Sequence, residues 1–350
     1  MLVVLGFVLG LVVGSFLNVV IHRLPRGESI VYPPSHCPSC GTRLGPRELV
    51  PVLSYLAQRG RCRHCGARIS PRYPLVELLT GLLFAYAAFR LGPGLELLFA
   101  WAFLALLVAL SFIDIDTYEL PDVLTYGGLF LGLLAGALLG RGREALWGAV
   151  SAAGLLVLIA EYGALLLRRF RDARPVWPVG FHQVDLAALV GTFGALWGVL
   201  AGLLNWVLNL LARRPLGLPI PLSLLLLPVF VLVSPQGPLD ALLSALAAAG
   251  ALALLGGLYW AFQPAGEDEE DDEPVALGFG DVKLAGMLGA WTGFYGFLVA
   301  LIVAVFAGAF LGLLFRQKKL PFGPYLAIGG VVAYFHGPEL IDAYLRFLGW

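Results

Sequence analysis

The chain has 350 residues, of which 59% are hydrophobic and 13% charged, with a mean hydropathy of +0.85 and a formal net charge of zero. A soluble domain carries nearer a quarter charged residues, so this composition excludes one and predicts an all-α polytopic membrane protein in contact with lipid. Zero net charge gives no footprint for a nucleic-acid partner.

Residues 1–21 are an apolar run with no basic residue before it, and His22, Arg23 and Arg26 follow it. That order predicts a retained first transmembrane helix with its N-terminus outside, not a cleaved signal. The loop 22–73 carries nine arginines against Glu28 and Glu48, which the positive-inside rule assigns to the cytoplasm. It holds all four cysteines, as Cys37-x-x-Cys40 and Cys62-x-x-Cys65. Two such pairs suit a tetrahedral thiolate zinc site of structural kind, and a reducing compartment disfavours the alternative of two disulfides. His22, His36, His64 and His336 share no metal-ligand spacing and read as loop residues.

Apolar runs at about 74–89, 96–113 and 123–140 each approach the roughly 20 residues a spanning helix needs. The second ends at FIDIDTYELPD (112–122), with Asp114, Asp116 and Asp122, and Leu120-Pro121 closes the turn. Asp114 and Asp116 are two residues apart and cannot point the same way on a helix, so one of them carries chemistry. A span at about 144–167 ends in RRFRDAR (168–174), and another at about 239–262 leads to the acidic run Glu267 to Glu273. That run is a solvated loop or an attractor for a basic substrate segment. Gly278-Phe279-Gly280-Asp281-Val282-Lys283 follows, opening a stretch to Phe315 that crosses twice with a break near Thr292-Gly293.

Carboxylates at membrane depth are costly and mark function, so Asp114 and Asp281 read as two halves of one acid–base site sharing a proton. Gly278 and Gly280 leave room for backbone and substrate to approach Asp281. Lys283 either anchors the helix at the interface by snorkelling or tunes Asp281, and Asp116 supports the pair or is solvated. A rival class, a proton- or ion-coupled transporter, explains the aspartates but leaves the cysteine loop without a role.

The chain also repeats itself. GFHQVDLAALVG (180–191) parallels GFGDVKLAGMLG (278–289), and EALWGAVSAAG (144–154) parallels DALLSALAAAG (240–250). Leu218-Pro219 pairs with Leu320-Pro321 and Gly237-Pro238 with Gly337-Pro338, so the offset stays between 96 and 102 residues. An internal duplication of the C-terminal helical unit is expected, with 141–238 the degenerate copy of 239–340. In that copy His182, Gln183 and Asp185 replace Gly280, Asp281 and Lys283. An amide is no general base, so the copy is expected to be silent, with its polar turn at the membrane surface; a second polar site at His182 and Asp185 is the competing reading.

Six stretches together resemble one known family: GSFLNVVIHRLP (14–25), CPSC (37–40), PVLSYLAQRGRCRHCGARISPRYPLVELLTG (51–81), FIDIDTYELPD, GFGDVKLAGMLGAW (278–291) and LPFGPYLAIGG (320–330). They are similar to the bacterial type IV prepilin peptidases, membrane aspartic proteases with a G-x-G-D signature. The resemblance implies catalysis by Asp114 and Asp281, cleavage of a basic leader after Gly, and N-methylation of the new terminus with S-adenosylmethionine. It implies prepilin and pseudopilin partners of type IV pilus and type II secretion systems, and residence in the bacterial inner membrane with the site on the cytoplasmic side. A G-x-G-D protease cutting within a substrate's transmembrane helix is the nearer alternative. The expected division is a first helix (1–21), a cysteine loop associated with methyl transfer (22–73), helices bearing the first aspartate (74–140), the degenerate copy (141–238) and the G-x-G-D unit (239–350).

Overall fold

The computed structural model describes residues 1–167, 180–218, 220–263, 278–315 and 320–349. The basic stretch 168–174, the acidic run 267–273 and the basic residues at 316–319 (Arg-Gln-Lys-Lys) lie outside them. Twelve α-helices and no strands are found among the described residues, and seven of the helices are long and apolar enough to cross a membrane.

In chain order the helices are α1 (Leu2–Arg23), α2 (Leu53–Ala57), α3 (Arg72–Leu91), α4 (Leu95–Thr117), α5 (Asp122–Leu138) and α6 (Gly142–Leu167). They continue with α7 (Phe181–Gly191), α8 (Ala195–Ala212), α9 (Ile220–Val233), α10 (Pro238–Ala261), α11 (Phe279–Phe315) and α12 (Gly323–Phe347). The predicted break falls inside α11 at Gly293, whose φ of 72° and ψ of 171° interrupt the helix. Only glycine takes that conformation without a Cβ penalty. The chain divides into two compact units, 1–124 with 304–331, and 125–303 with 332–350.

The first unit is built on α1 against α3. Gly6, Gly10 and Gly14 fall every fourth residue on one face of α1, and a Cβ on Gly10 would sit 2.6 Å from the Thr80 carbonyl oxygen. Small residues at this spacing let two helix backbones touch where lipid offers no hydrophobic driving force. Asn18 extends the seam by donating to the Tyr73 carbonyl at 3.1 Å. Val76, Val108 and Ile113 fill the core behind it.

The second unit is built on α6 against α10, again through glycine. A Cβ on Gly154 would meet the Leu246 carbonyl oxygen at 1.8 Å, and one on Gly250 would meet the Val150 oxygen at 1.8 Å. The contact is reciprocal, because Val150 and Gly154 stand 96 residues before Leu246 and Gly250. The next layer follows the same rule. A Cβ on Gly289 of α11 would meet Gly148 and Ala152 of α6, at 2.1 Å from the Gly148 oxygen. One on Gly191 of α7 would meet Ser244 and Ala248 of α10, at 3.2 Å from the Ser244 oxygen.

Candidate active site

Asp114 lies in the last turns of α4, which continues three residues beyond it to Thr117. It is 5% exposed, while Asp116 sits on the opposite side of the helix. The N–H of Gly323 donates to Asp114 Oδ2 at 2.9 Å, and Gly323 opens α12. A helix N-terminus presents unpaired N–H groups and the positive end of its dipole, so it is a natural seat for a carboxylate. Glycine is required at this position by space: a Cβ on Gly323 would lie 2.7 Å from Asp114 Oδ2.

Asp116 is engaged elsewhere. Arg72 Nη1 donates to both of its oxygens, at 2.6 Å to Oδ2, while Nη2 donates to the Phe112 carbonyl at 2.8 Å. The guanidinium also lies 5.0 Å from the centroid of the Phe112 ring. Asp116 therefore ties α3 to α4 at an exposed surface, which leaves Asp114 as the buried carboxyl of the pair.

In the second unit, Asp281 is the third residue of α11 after the Gly278 turn, and its N–H donates to the Gly278 carbonyl at 3.0 Å. A carboxylate in the first turn is favoured by the helix dipole. A Cβ on Gly278 would be 3.7 Å from Asp281 Oδ2, an ordinary contact, so the resting fold itself does not require glycine there. Lys283 Nζ stands 5.7 Å from the Phe279 ring centroid and 6.0 Å from that of Tyr126. Two aromatic faces at that range hold the ammonium by cation–π attraction. Tyr126 is itself fixed by donating to the Leu254 carbonyl at 2.9 Å.

The cysteine loop folds as two matching knuckles. Cys37 N–H donates to Thr42 O at 2.9 Å and Cys62 N–H to Ala67 O at 2.8 Å, with Gly41 and Gly66 at φ of 70° and 74° closing the turns. The four cysteines are unbridged and their sulfur atoms all lie within 4.8 Å of one another. Cys37 and Cys65 Sγ are 3.9 Å apart, close to the ~3.8 Å edge of a tetrahedron with ~2.3 Å metal–sulfur bonds. Hydrogen bonding with the Thr42 hydroxyl and backbone brings the Cys40 thiol down to about 6. Cys65 goes up to about 11, because burial and the neighbouring thiols outweigh the Ala67 backbone bond that lowers it. Four thiols so close cannot all ionise unless a cation sits among them, and the donor set fits zinc.

Glu77, a residue the sequence motifs do not single out, anchors this loop. It is 8% exposed on α3, and its Oε2 accepts the Val52 N–H at 2.7 Å. Val52 has a φ of 60°, a costly conformation for a β-branched residue, held at the start of α2.

The family described as Bacterial Peptidase A24 N-terminal domain matches residues 8–91, and the Type IV leader peptidase family matches 101–212 and 214–313. The chain belongs to the type IV leader peptidase family. A prepilin leader peptidase/N-methyltransferase of Myxococcus xanthus is 42% identical over 274 residues, covering 67% of this chain and 79% of its own. Enzymes of the same name from Aeromonas hydrophila and Pseudomonas aeruginosa are 32% and 29% identical, each over 376 residues, covering 97% and 98% of this chain and 93% of their own. No solved structure was found to match the chain. Both motif aspartates fall within the leader peptidase match, and the cysteine loop falls within the N-terminal one. Gly323 stands beyond the matched residues, inside the LPFGPYLAIGG stretch.

Proposed function

We propose that this chain is a membrane aspartic endopeptidase that removes the short basic leader of type IV prepilins and pseudopilins after Gly. It then methylates the exposed N-terminus with S-adenosylmethionine. The observation that carries this reading is the leader peptidase match across both motif aspartates, in a chain where Asp114 is buried and held by a helix N-terminus. In this reading the ionised member of Asp114 and Asp281 takes a proton from water as it attacks the scissile carbonyl. The protonated member polarises the carbonyl and then delivers its proton to the leaving amine. Zinc held by Cys37, Cys40, Cys62 and Cys65 rigidifies the 22–73 loop, and Asp116, Lys283, Gly278 and Gly280 support the site. The transporter reading gives the four clustered thiols no task.

The arginine-rich 22–73 loop supports an orientation with that loop and the aspartates on the cytoplasmic side of the inner membrane and the N-terminus outside. The helix order of 141–238, namely α6, α7, α8 and α9, parallels α10, the two segments of α11, and α12. The breaks at Gly194 and Gly293, both at positive φ, and the reciprocal glycine contacts follow the same offset. We take these as support for reading the segments as two copies, the first of them a buttress with no peptidase chemistry.

The test is purified full-length protein in detergent with a leader-bearing pilin, followed by mass spectrometry of the product with and without S-adenosylmethionine. Cleavage after Gly, lost in Asp114→Asn and Asp281→Asn, is expected. Cleavage inside the pilin's apolar helix, or full activity in either variant, refutes the assignment.

A further inference from the structure

The first copy carries acids of its own. The expectation for its polar turn was a surface position, but His182, Gln183 and Asp185 are 3%, 1% and 1% exposed, because α7 is packed among α8, α9 and α10. Gln183 Oε1 accepts the Gly180 N–H at 2.7 Å and caps the helix. His182 Nε2 lies 2.7 Å from Asn209 Nδ2, against the loop that follows α8, so it serves structure.

Asp185 is different. Its Oδ2 accepts the Ser223 hydroxyl at 2.8 Å and its Oδ1 accepts the Tyr162 hydroxyl at 3.3 Å, so both oxygens are used. Against this carboxylate lies Glu161 of α6, 4% exposed, and among the described residues no donor group reaches either of its oxygens, so only a proton shared with Asp185 or a cation can bridge the two acids. Three helices thus converge: the last turns of α6, with Glu161 and Tyr162, the start of α7 and the start of α9. Two buried carboxylates side by side repel one another, so a positive charge belongs between them. One shared proton would satisfy a single Glu161 oxygen and leave the other buried without a donor, which is itself costly. A divalent ion balances both charges and takes both free oxygens.

We propose that Glu161, Asp185, Tyr162 and Ser223 form a binding site for a hard divalent cation of the calcium or magnesium class, within the first copy and separate from the peptidase aspartates. The donors are all oxygen, two of them carboxylates, which is the ligand set such ions prefer and soft metals do not. The site does not rest on the peptidase reading. Its location suggests what the ion does: it locks α6, α7 and α9 together where no peptidase chemistry needs them to move.

The experiment uses full-length protein in detergent, stripped with chelator, and follows thermal unfolding while calcium, magnesium or sodium chloride is added at constant ionic strength. Calcium or magnesium should raise the midpoint in a saturable way, as expected for an ion bound only by the folded state, and sodium should not. Glu161→Gln and Asp185→Asn should shift the response to at least about tenfold higher concentration, because removing ligand charge weakens such sites by decades. Should either fail to fold, Ser223→Ala supplies a milder weakening in the same direction. Variants neutralising residues 267–273, and Asp114→Asn and Asp281→Asn, should keep the response. A divalent response absent from the parent protein, preserved in Glu161→Gln, equalled by sodium, or lost with the 267–273 charges overturns the proposal.

Discussion

Gly323→Ala tests how Asp114 is held. The new methyl would sit 2.7 Å from Asp114 Oδ2 and 3.2 Å from its Cγ, closer than carbon and oxygen tolerate. Either the carboxyl rotates away or the start of α12 retreats, and in both cases the 2.9 Å bond from the Gly323 N–H is stretched or broken. A hydrogen bond to a charged group contributes about 1.5–3 kcal/mol. At about 1.4 kcal/mol per tenfold in rate, kcat/KM for leader cleavage should fall roughly ten- to hundredfold. The loss should appear mainly in kcat, as for an interaction that orients a reacting group. The assay is leader-peptide cleavage by full-length protein in detergent, with thermal unfolding of the same samples to establish that the fold persists. A Gly323→Ala protein that unfolds normally and cleaves within about twofold of the parent would show that this bond plays no part in catalysis.

Four other outcomes follow from contacts already described. Asp116→Asn should leave cleavage within a few-fold and lower the unfolding midpoint only slightly, since an exposed ion pair contributes about 0–1 kcal/mol; abolished cleavage would make Asp116 the working carboxyl. Replacing Cys37 and Cys40 by Ser should remove bound zinc by elemental analysis and expose the 22–73 loop to limited proteolysis while membrane insertion persists. Zinc retained at full stoichiometry would contradict the four-thiol site. Glu77→Ala deprives the Val52 N–H of its acceptor, and proteolysis around 50–60 should quicken by an amount matching about 1–3 kcal/mol of local stability; an unchanged digestion pattern would refute the anchoring role. Gln183→Ala should lower the unfolding midpoint by removing the Gly180 cap yet leave cleavage within a few-fold, whereas a dead enzyme would mean that residues 141–238 take part in the chemistry.

Hydropathy and glycine punctuation made most of the helices readable in advance. The 278–315 stretch was expected to cross twice with a break at Thr292-Gly293, and Gly293 is where the backbone turns. The four cysteines were legible because their spacing is local and thiolate chemistry leaves few alternatives. The two-residue offset of Asp114 and Asp116 limited chemistry to one of them, but it could not say which was engaged by Arg72, a contact across 44 residues of chain. Gly323 was invisible for the same reason, since its partner Asp114 is 209 residues away and nothing in LPFGPYLAIGG signals a bond to a carboxylate. Glu161 could have been found. An acid in an otherwise apolar span is the signal that singled out Asp281, but Glu161 sits inside a span counted only for its length.

The exchange of partners between α6 and α10 bears on how this chain can be shortened or rebuilt. The helix that carries Asp281 in its first turn rests its Gly289 on α6, which belongs to residues 141–238, while α7 rests its Gly191 on α10. Excising 141–238 would therefore not release a smaller version of the same protein; it would take away the surface on which the G-x-G-D helix lies. A graft of 239–350 onto another scaffold would face the same vacancy. The two segments behave less like a motor and its spare than like two hands clasped at the wrist, where loosening either grip lets both go.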